Sequence, residues 1–140
     1  MRLTNTGEFD VEDGLDQHFD VLRELGECHT ALGNWDRARE CYRRAADLSP
    51  DRAAPHVGLG ILGIQSDRLE EAEAAFRRAV ALDPGGAEAY GGLAVVFQRR
   101  EDYQAALDMY LRCLERDADN LVALLNGLGL ATQIAELTVS

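Results

Sequence analysis

Three histidines and three cysteines are the side chains here that could bind a metal, activate water or act as nucleophiles. Their spacing does not serve that chemistry. His18, His29 and His56 lack the short intervals that bring two imidazoles to one ion. Cys28, Cys41 and Cys113 are too far apart for a CxxC redox or zinc motif, and their number is odd. Reduced cysteines in a cytoplasmic protein are the expectation. Gly58, Gly60 and Gly63 spell a GxGxxG, but phosphate binding needs that motif between a strand and a helix, and here it falls inside a helical pattern. No His-Glu-x-x-His motif, Gly-rich phosphate loop or acid–base pair is present. The sequence therefore predicts no catalytic residue, no metal and no cofactor.

Charge narrows the partners. Fourteen cationic residues, all arginine, face 25 acidic ones, for a net charge of -11. Such a chain cannot release counterions from nucleic-acid phosphates efficiently, and an anionic membrane surface repels it. The most apolar window, Leu121 to Leu130, contains Asn126, Gly127 and Gly129 and reads as too short for a membrane span. Residues 1–10 lack the apolar run of a signal peptide. No nucleic-acid or membrane partner is expected. Arg44, Arg78 and Arg112 form a periodic stripe, read as a solvated face because Glu40 and Asp108 stand four residues before Arg44 and Arg112. An arginine-only set of cations with abundant Ala, Gly and Asp is the composition of a GC-rich bacterial genome.

The elements behind these residues come from self-comparison at an offset of 34. Segments 19–52, 53–86 and 87–120 align Leu25 with Leu59 and Leu93, and Gly26 with Gly60 and Ala94. Further columns are Ala38, Ala72 and Ala106; Tyr42, Phe76 and Tyr110; and Ala45, Ala79 and Cys113. Small residues let two antiparallel helices interlock, and a seven-residue spacing keeps two of them on one face. The aromatic between them would fill the space between neighbouring hairpins. Gly33-Asn34 and Ser66-Asp67 mark turns, and Pro50 and Pro84 close the second helices. Helices are predicted near 19–32, 35–48, 53–66, 69–82, 87–100 and 103–116, with a seventh over 121–137.

These columns resemble the tetratricopeptide repeat, most closely in Leu59-Gly60, Ala72, Phe76, Ala79, Leu82 and Asp83-Pro84. The resemblance implies an all-α superhelix, a solenoid of three helical hairpins plus a terminal helix, over residues 19–137. An acidic arm, 1–18, precedes it, and its Phe9 and Val11 could compete internally for the groove. His56, Gly63 and Arg116 depart from the family pattern, which suggests a loose second hairpin and a frayed end to the third.

In this family the first helix of each hairpin lines a concave groove. The resemblance thus places Arg23, Glu27, Val57, Ile61, Ile64, Gln65, Val95, Gln98, Arg99, Leu125 and Asn126 in the groove. Members that bind chaperone tails clamp a carboxylate with Lys and Asn. Here Glu27 and Gly58 occupy the Asn-type positions, and Glu88 and Gly92 the cationic ones, so no clamp is expected. The middle of the groove is apolar instead, which points to a protein or peptide partner with apolar anchors. A small acidic secretion-type chaperone with this fold, or an oligomerisation unit, is the alternative. The last helix, rich in Leu121, Leu124 and Leu128, either packs deeply or makes a homodimer interface.

Overall fold

The computed structural model describes residues 18–139. Residues 1–17, including Phe9 and Val11, lie outside the described residues. Seven helices and no strand occur among the described residues: α1 Phe19–Ala31, α2 Trp35–Leu48, α3 Ala54–Gln65, α4 Leu69–Leu82, α5 Ala87–Arg99, α6 Tyr103–Arg116 and α7 Leu121–Val139. They pair as α1/α2, α3/α4 and α5/α6, with α7 against α6. The predicted helices match these bounds within two residues.

The turn inside each hairpin is the same device three times over. Gly33, Asp67 and Glu101, spaced by 34, carry φ of 78°, 58° and 63°. The following amide reaches back five residues: Asn34 N to the His29 carbonyl (2.8 Å), Arg68 N to Gly63 (2.7 Å) and Asp102 N to Phe97 (3.0 Å). This left-handed cap uses up carbonyls that the helix end leaves without partners. Glycine adopts the conformation freely, whereas Glu101 holds it against the clash of its own Cβ. At the other end, Asp102 Oδ1 accepts from Ala105 N, and Asn120 Oδ1 accepts from Ala123 N, which starts α6 and α7.

The core is a row of clusters, one around each aromatic column residue. Tyr42 sits with Ala38 and Leu62; Phe76 with Ala72, Ala79 and Leu93; Tyr110 with Ala106, Cys113 and Leu130. Ala38, Ala72 and Ala106 are all fully buried. Each of the first two rings is held between two glycines. A Cβ on Gly26 would lie 2.8 Å from the Tyr42 ring, and one on Gly58 2.3 Å from it. Phe76 is gripped likewise by Gly60 (2.5 Å) and Gly92 (2.3 Å). The ring therefore touches its own hairpin and the next. In the third unit Asn126 takes the place of Gly58 and Gly92, and its Nδ2 donates to the Tyr110 hydroxyl at 3.2 Å. That hydroxyl donates onward to Gln98 Oε1 at 2.8 Å.

Three expectations are corrected. The second hairpin is not loose: a Cβ on Gly63 would lie 2.8 Å from both Cβ and N of Ala72, so this glycine brings α3 and α4 together. The third hairpin is not frayed, because Arg116 stacks on Tyr90 at 4.1 Å and donates to the Pro84 carbonyl at 2.7 Å. His56 is half-buried, and burial with the nearby Arg78 holds its imidazole below the usual range.

The last correction concerns α7. It does not pack deeply: over 19 residues it buries only Ala123, Gly127 and Leu130. Taken over its whole length, Leu121–Val139, it is long and apolar enough to cross a membrane, by length and composition. The window Leu121 to Leu130, too short by itself for a membrane span, is thus only the first half of a longer apolar helix.

Candidate functional site

Two depressions join along the side formed by the first helices. One, of about 430 Å³, is lined by Arg23, Glu27 and Thr30 of α1 and by Val57, Ile61 and Gln65 of α3, with Tyr42 and Glu88. The other, of about 300 Å³, is lined by Val57, Ile61, Ile64, Val95, Val122 and Asn120, with Phe76 and Tyr110. They share Val57, Ile61 and Glu88, so one groove runs from α1 to α7.

The groove follows from the ring clamp. Glycine at 58 and 92 lets α3 and α5 close onto Tyr42 and Phe76, and those aromatics become its floor. The next side chains along α3, Val57 and Ile61, are left half-buried or exposed, since no further helix among the described residues covers them. Ile61 keeps 42% of its surface. Burial lifts the phenol pKa of both Tyr42 and Tyr110, so both rings remain neutral.

The charged groups at the rim are few and mostly committed. Arg23 donates to Glu27 across one helical turn at 2.7 Å, which neutralises the cation of the first depression. Thr30 turns its hydroxyl to the Gly26 carbonyl. Glu88 is exposed and lies at the junction of the two depressions. The site is an apolar trough with a carboxylate at its middle.

Of the positions named from sequence, Arg23, Glu27, Val57, Ile61, Ile64, Gln65 and Val95 line the groove. Gln98, Arg99, Leu125 and Asn126 line neither depression. Gln98 and Asn126 are engaged by Tyr110, Arg99 donates to the Ile64 carbonyl at 3.1 Å, and Leu125 stands exposed on α7. Sequence reasoning missed the aromatic floor and Asn120. The floor was legible in principle, because Gly58 and Gly92 recur at the 34-residue offset as a small column facing a large one.

Elsewhere, Arg44 pairs with Glu40 at 2.9 Å as expected, whereas Asp108 accepts from Gln104 instead of Arg112. Cys28 is exposed and Cys113 buried, and all three cysteines are free. No group of three His, Cys, Asp or Glu suited to a metal occurs among the described residues.

The tetratricopeptide repeat model matches residues 11–55, 24–87 and 57–120. No curated protein matches in sequence. Solved structures do match in fold. The first TPR of Spaghetti (RPAP3), bound to the HSP90 peptide SRMEEVD, aligns at a TM-score of 0.78 and 23% identity, over 86% of this chain and 95% of that one. The first TPR domain of human RPAP3 gives 0.80 at 22%, covering 89% and 98%. The Sgt2 TPR domain of Aspergillus fumigatus gives 0.81 at 18%, covering 87% and 82%. Three hairpins at a 34-residue period, aromatic wedges between small residues, and a family model spanning residues 11–120 lead to one conclusion: the chain belongs to the tetratricopeptide repeat family.

Proposed function

We propose that this chain is a protein–protein interaction module, a scaffold or adaptor that holds a partner segment in the groove between α1 and α7. The observation that carries the reading is the run of Val57, Ile61, Ile64 and Val95 over an aromatic floor, with Ile61 still 42% exposed. Apolar surface of this kind gains most from a partner's own apolar side chains. Glu88, at the junction of the depressions, favours a segment that also carries Lys or Arg. An acidic peptide such as the SRMEEVD bound by the RPAP3 domain would meet Glu88 and an Arg23 already paired with Glu27.

Panning a random-peptide display library against the full chain tests this. The expected winners combine apolar anchors with a basic residue, and they lose at least ten-fold in affinity to the Ile61→Asp, Ile64→Asp double variant. Winners that bind a folded double variant as tightly as the parent would sink the proposal. A second reading, an oligomerisation unit, is supported by one observation: the exposed leucine face of α7. The two readings use different surfaces and are compatible.

A further inference from the structure

Each first helix of the three hairpins packs one face on a second helix. That face holds the first, fourth and eighth residues of the repeat: Phe19, Leu22 and Gly26 in α1, Ala53 just before α3 with His56 and Gly60 in it, and Ala87, Tyr90 and Ala94 in α5. All nine are buried or half-buried. The equivalent residues of α7 are Leu121, Leu124 and Leu128, which are 64%, 44% and 69% exposed. The reason is topological. No helix follows α7 among the described residues, so the face that a second helix would fill stands open.

The composition of this face says what covers it. Its first half is large, Leu121, Leu124, Leu125 and Leu128, while its second half is small, Ala131, Thr132 and Ala135. We infer that α7 of a second copy lies here, antiparallel, in the position that a second helix takes against α1, α3 and α5, so that the chain is a two-fold dimer. This deepens the oligomerisation reading above and rests on it. With the two-fold axis at Leu128, Leu121 of one copy meets Ala135 of the other, and Leu125 meets Ala131. On either side of the axis, where Leu128 meets its own copy, large residues face small ones, and Leu121, Leu124 and Leu125 of each copy become covered. A parallel pairing would crowd leucine on leucine at one end and leave a hollow between alanines at the other.

Charge selects the same surface. Each copy carries -11, so most faces repel their own kind, whereas α7 holds a single carboxylate, Glu136, near its end. A membrane suits this helix less well. One face is already seated on α6 through Ala123, Gly127 and Leu130, and Asp117, Asp119 and Glu136 flank it where interfacial cations would be wanted.

Sedimentation equilibrium of the full chain and directed cross-linking test the inference together. The wild-type chain is expected to dimerise, and Leu124→Glu with Leu128→Glu to weaken the dimer at least 100-fold. Both positions are exposed, so the helical circular-dichroism signal and Tm of the monomer should hold. In a Cys28→Ser background, Leu121→Cys and Ala135→Cys chains should form a disulfide only when mixed. Along one helix those residues are about 21 Å apart, so a parallel dimer would cross-link each variant to itself instead. A dimer with that self-linking pattern overturns the antiparallel pairing and leaves the oligomerisation reading standing. A monomer at the highest attainable concentration overturns both, as does flotation of monomer with phosphatidylcholine vesicles. None of these outcomes touches the groove, which the peptide assay reads separately.

Discussion

Replacing Gly92 by alanine should destabilise the protein although it puts a better helix former into the middle of α5. The added Cβ would stand 2.3 Å from two atoms of the Phe76 ring, where carbon contacts are comfortable near about 3.5–4.0 Å. The ring cannot retreat, because it is 1% exposed and is held on its other side by Gly60. Relief must come from the backbone, by moving α5 away from α4. Over-packing of this kind costs about 1–3 kcal/mol, and the rigid surroundings argue for the upper end. The gain in helix propensity offsets about 1 kcal/mol. A net loss of about 2 kcal/mol remains, or a fall in Tm of roughly 8 °C. Urea titration followed by far-UV circular dichroism would measure it. Gly129→Ala is the control: nothing lies within 4 Å of its would-be Cβ, so it should gain about 0.5–1 kcal/mol. In a Phe76→Leu background the penalty at Gly92 should shrink by at least 1 kcal/mol. If Gly92→Ala proved as stable as Gly129→Ala, the ring clamp would not be what spaces the hairpins.

The two remaining predictions concern charge and backbone. Glu73 accepts from Arg100 and Arg77, and these bonds hold its carboxyl below the ordinary value. A depressed folded-state pKa contributes stability that is present above the unfolded value and lost as pH falls through the folded one. The Tm difference between wild type and Glu73→Gln should therefore close as pH drops through that window; a difference independent of pH refutes the assignment. Glu101→Gly should stabilise by about 1 kcal/mol, since its φ of 63° strains any residue with a Cβ. Chemical denaturation would show it, and a loss of stability would mean that the Glu101 side chain contributes more than its backbone strain costs.

The fold was legible because its physics repeats. Ala38, Ala72 and Ala106 announced the helix crossings, and Gly33-Asn34 and Ser66-Asp67 two of the turns, since small and turn-forming residues have few other reasons to recur every 34 residues. The third turn was silent: Arg100-Glu101 has no turn chemistry, and only the geometry of the other two imposes it. The apolar run of the groove was legible from helical spacing on α3 and α5. Its far end was not. Gln98 and Asn126 look like free polar groups in sequence, yet the Tyr110 hydroxyl joins them, a contact between residues 12 and 16 positions apart that periodicity does not encode. Gly63 and Arg116 misled for a related reason. Departure from a family pattern was read as weakness, whereas Gly63 trades bulk for closeness and Arg116 trades a leucine's burial for a stack on Tyr90.

The rings between glycines also set a geometry. Tyr42 and Phe76 each hold apart two successive first helices, so ring size fixes the distance between neighbours in the wall of the groove. The curvature of the binding surface is thus encoded at buried positions, apart from most of the residues that would recognise a ligand. Exchanging a clamping glycine such as Gly26 or Gly60 for alanine would bend or open the trough without altering the side chains along it. Pitch and recognition can then be tuned separately, one from inside the molecule and the other from its surface.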